Sequence, residues 1–236
     1  MSGGIRGILF DKDGVLIDFE ATWDPVNRHL AREIAAGDAR MAARLLIAGG
    51  FDAELRRAQP GTALAAGTSN DVAAAWIGQL PAWEEAALAA EVDRIFNATS
   101  PEHMVPLVDI AALFGRLRGR GLTLGIATND SEFGARSQLD SLGVLDQLTF
   151  LAGYDSGHGA KPAPGMAEAF CRSTGLAAAE VAVVGDNLHD LEMGRCAGAG
   201  LLVGVRSGTG DPAALDEMAH HLIDSVAELE ALLDGA

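Results

Sequence analysis

Two aspartates one residue apart, Asp11 and Asp13, end a short apolar run, Ile8-Leu9-Phe10, and Gly14 follows them. Carboxylates this close repel each other unless a cation or a proton sits between them, and a glycine lets the chain turn sharply behind them. A solvated acidic turn uses the same residues. So does a calcium loop, but that loop needs a third oxygen ligand before its glycine and a glutamate at its twelfth position, and counted from Asp11 this position is Thr22. Thr128 and Asn129 end a second apolar run, where a hydroxyl and free amides hold phosphate oxygens or merely make a turn. Lys161 stands between Ala160 and Pro162, a setting in which lysine is commonly a solvated loop residue. Its type is rare here: Lys12 and Lys161 are the only lysines, and arginine supplies the other fifteen positive charges. Gly185-Asp186 ends a third run, and Asp190 lies four residues on. Carboxylates at that spacing ligate a cation or complement the positive end of a helix.

These residues gather where apolar runs end, and the intervening pattern says what carries them. Residues 5–10, 122–127, 149–152, 181–184 and 201–205 read as strands, with 222–223 a last short one. Amphipathic stretches at 107–118, 132–142 and 164–174, and one ending near Gly198, alternate with them, and a capping box of Ser225 and Glu228 opens a final helix. The alternation predicts an α/β fold: a Rossmann-like, mostly parallel sheet core with helices on both faces and its site outside the carboxyl ends of the strands. Between Phe19 and Ala98 the period becomes that of helices. Trp23, Val26, Leu30 and Ile34 mark one face, similar spacing returns at 41–49 and 83–96, and all three tryptophans (Trp23, Trp76, Trp83) fall here. This predicts an inserted all-helical module with the tryptophans in its core, a stacking role against a ligand being the alternative. The expected domains are residues 1–17 with 103–236, and the insertion at 18–102.

Lys plus Arg number 17 against 33 Asp plus Glu, a formal net charge of -16, which disfavours nonspecific binding to nucleic acid and to anionic membranes. An anionic substrate then needs a local site, and a bound divalent cation would make one. No apolar run reaches the ~18 residues of a membrane span, and no leader pattern precedes the first strand, so a cytoplasmic location is expected. Cys171 and Cys196 fall in helical stretches and read as buried free thiols. His158, His220 and His221 read as surface residues, and His189 as turned away from the face set by Asp186 and Asp190. Nothing in the sequence points to a particular oligomeric state.

In one chain and in this order, the motifs resemble the haloacid dehalogenase superfamily in its phosphatase branch. They are the strand leading into Asp11-Lys12-Asp13-Gly14-Val15-Leu16, the strand leading into Thr128-Asn129, then Lys161-Pro162-Ala163-Pro164, and Gly185-Asp186 with Asp190. The resemblance covers the core, fades in the insertion, and lies toward phosphoglycolate-phosphatase-like proteins. It implies a Mg²⁺-dependent phosphatase that hydrolyses a small-molecule phosphate ester through an aspartyl-phosphate. By that resemblance Asp11 is the nucleophile and Asp13 the general acid and then base. Thr128, Asn129 and Lys161 hold phosphoryl oxygens. Asp11 and Asp186 bind Mg²⁺, Asp13 adds only its backbone carbonyl, and Asp190 orients Lys161 or a metal water. The insertion becomes a cap that closes over the site, hinged at residues 17–19 and near Pro101, and Arg28, Arg32, Arg56 and Arg57 are candidate partners for a carboxylated substrate. Asp13 argues against dehalogenase chemistry, and the absence of lysine from 18–102 against phosphonate cleavage. A sugar-phosphate mutase and a catalytically idle phosphate-binding protein are the alternatives.

Overall fold

Strands buried on both faces must be apolar throughout, and the central runs of this chain are. In the computed structural model, which describes residues 4–55 and 57–235, every residue of the strands Gly7–Phe10, Val181–Gly185 and Leu201–Val205 is buried. In chain order, β1 (Gly7–Phe10) is followed by α1 (Phe19–Ile34), α2 (Ala39–Ala48), a hairpin of β2 (Phe51–Asp52) and β3 (Arg57–Ala58), α3 (Ala63–Ala66), α4 (Ser69–Trp76) and α5 (Glu85–Thr99). Helices and strands then alternate: α6 (Ile110–Gly119), β4 (Thr123–Ala127), α7 (Glu132–Ser141), β5 (Phe150–Ala152), α8 (Gly165–Thr174), β6 (Val181–Gly185), α9 (Leu188–Ala197), β7 (Leu201–Val205), α10 (Pro212–Met218), β8 (His221–Ile223) and α11 (Leu229–Gly235).

The six-stranded sheet has the order β5-β4-β1-β6-β7-β8, and all its pairings are parallel. From β1 the chain winds outward through β4 to β5, returns to the other side of β1 with β6, and winds outward again. That reversal is a topological switch point, where open α/β sheets form their crevice. Side chains alternate across the pleat. Ile8, Phe10, Ala182 and Val184 pack with Ile110, Leu113, Phe114 and Leu117 of α6 on one face. Leu9, Val181 and Val183 pack with Phe170 of α8, Leu191 of α9 and Leu215 of α10 on the other. The α/β core with helices on both faces is as expected. Helix α6 starts later than its periodicity suggested, because Asp109 caps it through a bond from Ala112 N at 2.9 Å, and Pro106 before it bridges to Ile17.

The segment from Phe19 to Phe96 builds a third apolar cluster of its own. Trp23 and Trp76 are buried in it and Trp83 packs against it. The segment is not all helical: β2 and β3 pair antiparallel within it. A hairpin with two residues per strand leaves too short an alternation for a period to register in the sequence. The two chain crossings into this segment lie side by side, with Asp18 N donating to Val105 O at 2.8 Å and Leu107 N to Leu16 O at 2.9 Å. A polar stripe on the last part of the segment meets the core: Ser131 Oγ donates to Asn97 Oδ1 at 2.9 Å, Gln138 Nε2 to Ser100 Oγ at 2.7 Å, and the Tyr154 hydroxyl to Asp93. Burial and the Asp93 carboxylate push the Tyr154 hydroxyl well above its usual range, which keeps it a donor.

Both cysteines are free thiols, but Cys196 is exposed and Cys171 only half-buried, a correction to the buried pair expected. A helix period places them on helices without saying how far each face turns from the sheet. Among the described residues no helix is long and apolar enough to cross a membrane.

Candidate active site

Three parallel strands around the switch point, β1, β4 and β6, end side by side and deliver Asp11, Thr128 and Asp186 to one place. Lys161 arrives from the loop before α8. Its ammonium donates to Asp11 Oδ1 at 2.7 Å and to Asp190 Oδ1 at 2.6 Å. The other oxygen of Asp190 accepts from Asn187 N at 3.0 Å, closing the capping box that opens α9. Asp190 thus closes the helix cap with one oxygen and accepts from the Lys161 ammonium with the other. Asp186 precedes that helix, whose cap is Asn187 in extended conformation, so the two carboxylates do not share a helix face.

One oxygen from each of Asp11, Asp186 and Asp190 lies within 4.8 Å of the others. Burial pushes Asp11 up to about 7, against the pull of Lys161, with Asp190 and Asp13 adding to the rise. Burial, then the charges of Asp11 and Asp190, drives Asp186 well above the ordinary carboxylate range. Such a group holds protons unless a cation takes their place. Hard oxygen donors, too many negative charges for one ammonium, and three carboxylates on rigid elements fit Mg²⁺, which takes a few carboxylates and keeps waters.

Asp186 is itself held by the loop after β7. Thr209 N donates to Asp186 Oδ2 at 2.7 Å, and Ser207 Oγ reaches Gly14 O at 2.7 Å. The loop can come this close only because Gly208 lacks a side chain: a Cβ there would stand 1.9 Å from Asp186 Oδ2. Gly14, in the left-handed region at φ +76, faces the same oxygen, 2.6 Å from where its Cβ would be. Gly208→Ala is therefore expected to displace the Asp186 carboxylate and weaken divalent-cation affinity by roughly tenfold or more, with thermal unfolding otherwise little changed. Isothermal titration with Mg²⁺ checks it, and an unaltered Kd contradicts it.

The rarity of lysine has a structural answer, since both lysines are buried here. Lys12 is fully buried, pairs with Asp13, and lies 3.0 Å from Asp130 Oδ2, close enough for an ion pair though off hydrogen-bond alignment. Burial alone would depress its ammonium, but Asp13 and Asp130 more than offset this and hold it above its usual range. Burial raises the Asp130 carboxyl, with Lys12 pulling the other way. Asp13 accepts from Lys12 on one oxygen and from Trp23 Nε1 on the other, at 2.6 Å. Thr128 is buried, lines the cavity, and accepts from Asp130 N at 3.1 Å, which leaves its own proton free to donate. The Asn129 side chain is engaged elsewhere: Oδ1 accepts from Lys161 N at 2.9 Å and Nδ2 donates to Ala66 O at 2.9 Å. Its amide positions the Lys161 loop and ties it to the inserted segment, so any contact with an anion falls to its backbone N–H.

The cavity these residues share is about 600 Å³ counting its open mouth, and the inserted segment supplies its far wall. Trp23 was readable as a core residue of the insert, but its place in that wall, like those of Asn27 and residues 63–67, was not, because which insert residues face the core depends on how the insert folds over it. His189 lines the cavity too, half-buried, with Nδ1 lacking a protein partner. This corrects the expectation that it turns away, which rested on treating 186 and 190 as one helix face. His220 and His221 are exposed, as expected, and His158 is half-buried. Of the arginines singled out, Arg28 pairs with Asp24 at 2.9 Å and stacks over Phe51, Arg32 and Arg57 are exposed, and none of the three lines the cavity. Arg56 lies outside the described residues.

The chain is similar to known proteins over most of its length. It is 27% identical over 205 residues to a phosphoglycolate phosphatase of Rhodospirillum rubrum, covering 84% of this chain and 78% of that one. It is also 27% identical over 149 residues to an N-acylneuraminate-9-phosphatase of Rattus norvegicus, covering 63% and 60%. Its fold is that of CbbY from Rhodobacter sphaeroides, solved in complex with phosphate: TM-score 0.69, 20% identity, with 98% of this chain and 99% of that chain covered. The sequence profile of haloacid dehalogenase-like hydrolases matches residues 5–198. With that match running from the first strand through α9, the chain belongs to the haloacid dehalogenase-like hydrolase family.

Proposed function

We propose that this hydrolase is a Mg²⁺-dependent phosphatase of small-molecule phosphate monoesters, working through a phosphoryl group carried on Asp11. The observation that carries this reading is the buried Asp11–Asp186–Asp190 cluster with Lys161 bridging two of its members. Asp11, on a strand end and fixed by its backbone bond to Val184, attacks phosphorus and displaces the alcohol. Lys161 and the Thr128 hydroxyl hold the phosphoryl oxygens as charge shifts among them. Asp13 gives a proton to the leaving oxygen and later takes one from the water that frees Asp11. To do so it must exchange one of its two present donors, Lys12 or Trp23, for the substrate. When bound by Asp11, Asp186 and the Asp13 carbonyl, Mg²⁺ supplies positive charge that offsets the anionic phosphate and carboxylates. Residues 18–102 act as a cap on a core of 1–17 and 103–236. Their hydrogen-bonded rather than apolar seam with the core suits a part that opens and closes.

Hydrolysis of an aryl phosphate, with Mg²⁺ and with excess EDTA, tests the reading. Turnover that EDTA abolishes and Mg²⁺ restores is expected, and turnover indifferent to both contradicts it. The raised carboxyls add a pH signature. A carboxyl whose folded pKa lies above its unfolded one costs stability as the pH rises toward the folded value. For Asp11 that window runs from the ordinary 3.8 to about 7. Mg²⁺ replaces the lost protons, so its stabilisation should be larger at about pH 8 than at about pH 6, by on the order of 5 °C in Tm. An equal rise at both values contradicts this.

A further inference from the structure

The wall of the cavity opposite the carboxylates says what kind of alcohol the phosphate is attached to. Along α1, Phe19, Trp23 and Asn27 recur every four residues and line the cavity as one stripe. Trp23 meets Asp13 through Nε1 and meets Phe96 edge-on at 5.1 Å between ring centroids. Leu64, Val72 and Phe96, with Ala63, Ala65 and Ala66, complete the apolar part of this wall. Asn27 is the exception. It is 4% exposed, and its side-chain oxygen is buried with no hydrogen-bond partner. An amide left this way costs free energy unless a ligand or water meets it. One helical turn, about 6 Å, separates it from Trp23 and so from the point of proton transfer.

Charge on this wall is as informative. Among the described residues, the inserted segment contributes no cationic side chain to the cavity. On the core side Lys161 and Lys12 each already serve two carboxylates. A second anionic group on the substrate would enter a space lined by Asp11, Asp13, Asp130, Asp186 and Asp190, where among the described residues only the His189 imidazole is left to meet it. Burying an unpaired carboxylate there is unfavourable.

We infer that the substrate is the phosphate ester of an uncharged, hydroxyl-bearing alcohol, whose hydroxyl is met by the Asn27 amide while its carbon skeleton lies on Trp23 and Phe96. Carboxylated esters such as phosphoglycolate are disfavoured. This rests on the phosphatase reading and sharpens it. Three esters test it with the full chain and Mg²⁺: racemic α-glycerophosphate, phosphoglycolate and phenyl phosphate. Wild-type kcat/KM for glycerophosphate should exceed that for phosphoglycolate by roughly 100-fold. Asn27→Leu, which keeps the volume and removes the amide, should lose about tenfold on glycerophosphate and less than about threefold on phenyl phosphate, which has no hydroxyl to lose. Wild-type protein that cleaves phenyl phosphate yet prefers phosphoglycolate overturns this inference alone and needs no variant to fold. An equal loss on both neutral esters in Asn27→Leu also overturns it. Wild-type protein inactive on all three overturns the phosphatase reading beneath it.

Discussion

Asp11→Asn is expected to lower kcat on an aryl phosphate by on the order of 10⁴-fold or more, while the protein stays folded. The carboxamide keeps the shape of the side chain and can still face Lys161. It cannot act as a nucleophile toward phosphorus, and it is a poor ligand for a hard cation. Because Asp11 lies with 9% exposure among Asp186 and Asp190, removing its charge also relieves repulsion in the cation-free protein. The variant should therefore melt no lower than wild type without Mg²⁺ and gain less from adding it. Steady-state rates and melting curves with and without Mg²⁺ check both halves. A variant retaining most of its turnover removes Asp11 from the role assigned to it.

Lys161→Met is expected to damage both rate and stability. The residue is 7% exposed and its ammonium is bonded to Asp11 and Asp190, and burial and those two charges decide its state: burial works against the charged form, but the carboxylates outweigh it and hold the ammonium well above its usual range. Deleting one partner of a buried cluster strands the others. Without divalent cation the loss should be about 3–5 kcal/mol, softened where Asp11 takes up a proton. The rate should fall by roughly 10² to 10³ as a donor to the phosphoryl oxygens is lost. Lys161→Arg should not restore it, since a planar guanidinium cannot replace a compact ammonium between two fixed carboxylates. Urea unfolding and kcat on phenyl phosphate measure the two effects. A stable, active Lys161→Met protein contradicts the arrangement.

How far the sequence reaches follows from what each residue depends on. Asp11, Thr128 and Asp186 are each carried by the end of a buried strand, and a strand end is readable from a run of apolar residues followed by polar ones. Their convergence then follows from parallel winding about one switch point. Ser207, Gly208 and Thr209 obey the same rule at the end of β7, so their approach to Asp186 was within reach of that reasoning and was missed. The Lys12–Asp130 pair had a weaker signal, the persistence of lysine in an arginine-rich chain. Trp23 was legible as a core residue of α1, and it is one. Its bond to Asp13 was not legible, because it depends on the angle at which the inserted segment sits on the sheet. Asn27, Phe96 and residues 63–67 share that dependence. His189 was misplaced for a local reason: one cap residue, Asn187, shifts where the helix begins.

The central claim is that Asp11 carries the phosphoryl group. Rapid mixing of the Mg²⁺-loaded protein with excess phenyl phosphate, acid quenching within the first turnover, and peptide mass spectrometry address it directly. One added phosphoryl group is expected on the peptide bearing Asp11, absent in Asp11→Asn and absent when EDTA precedes the substrate. A phosphoryl group on any other residue, or none on Asp11 while phenol is released in a burst, contradicts the account.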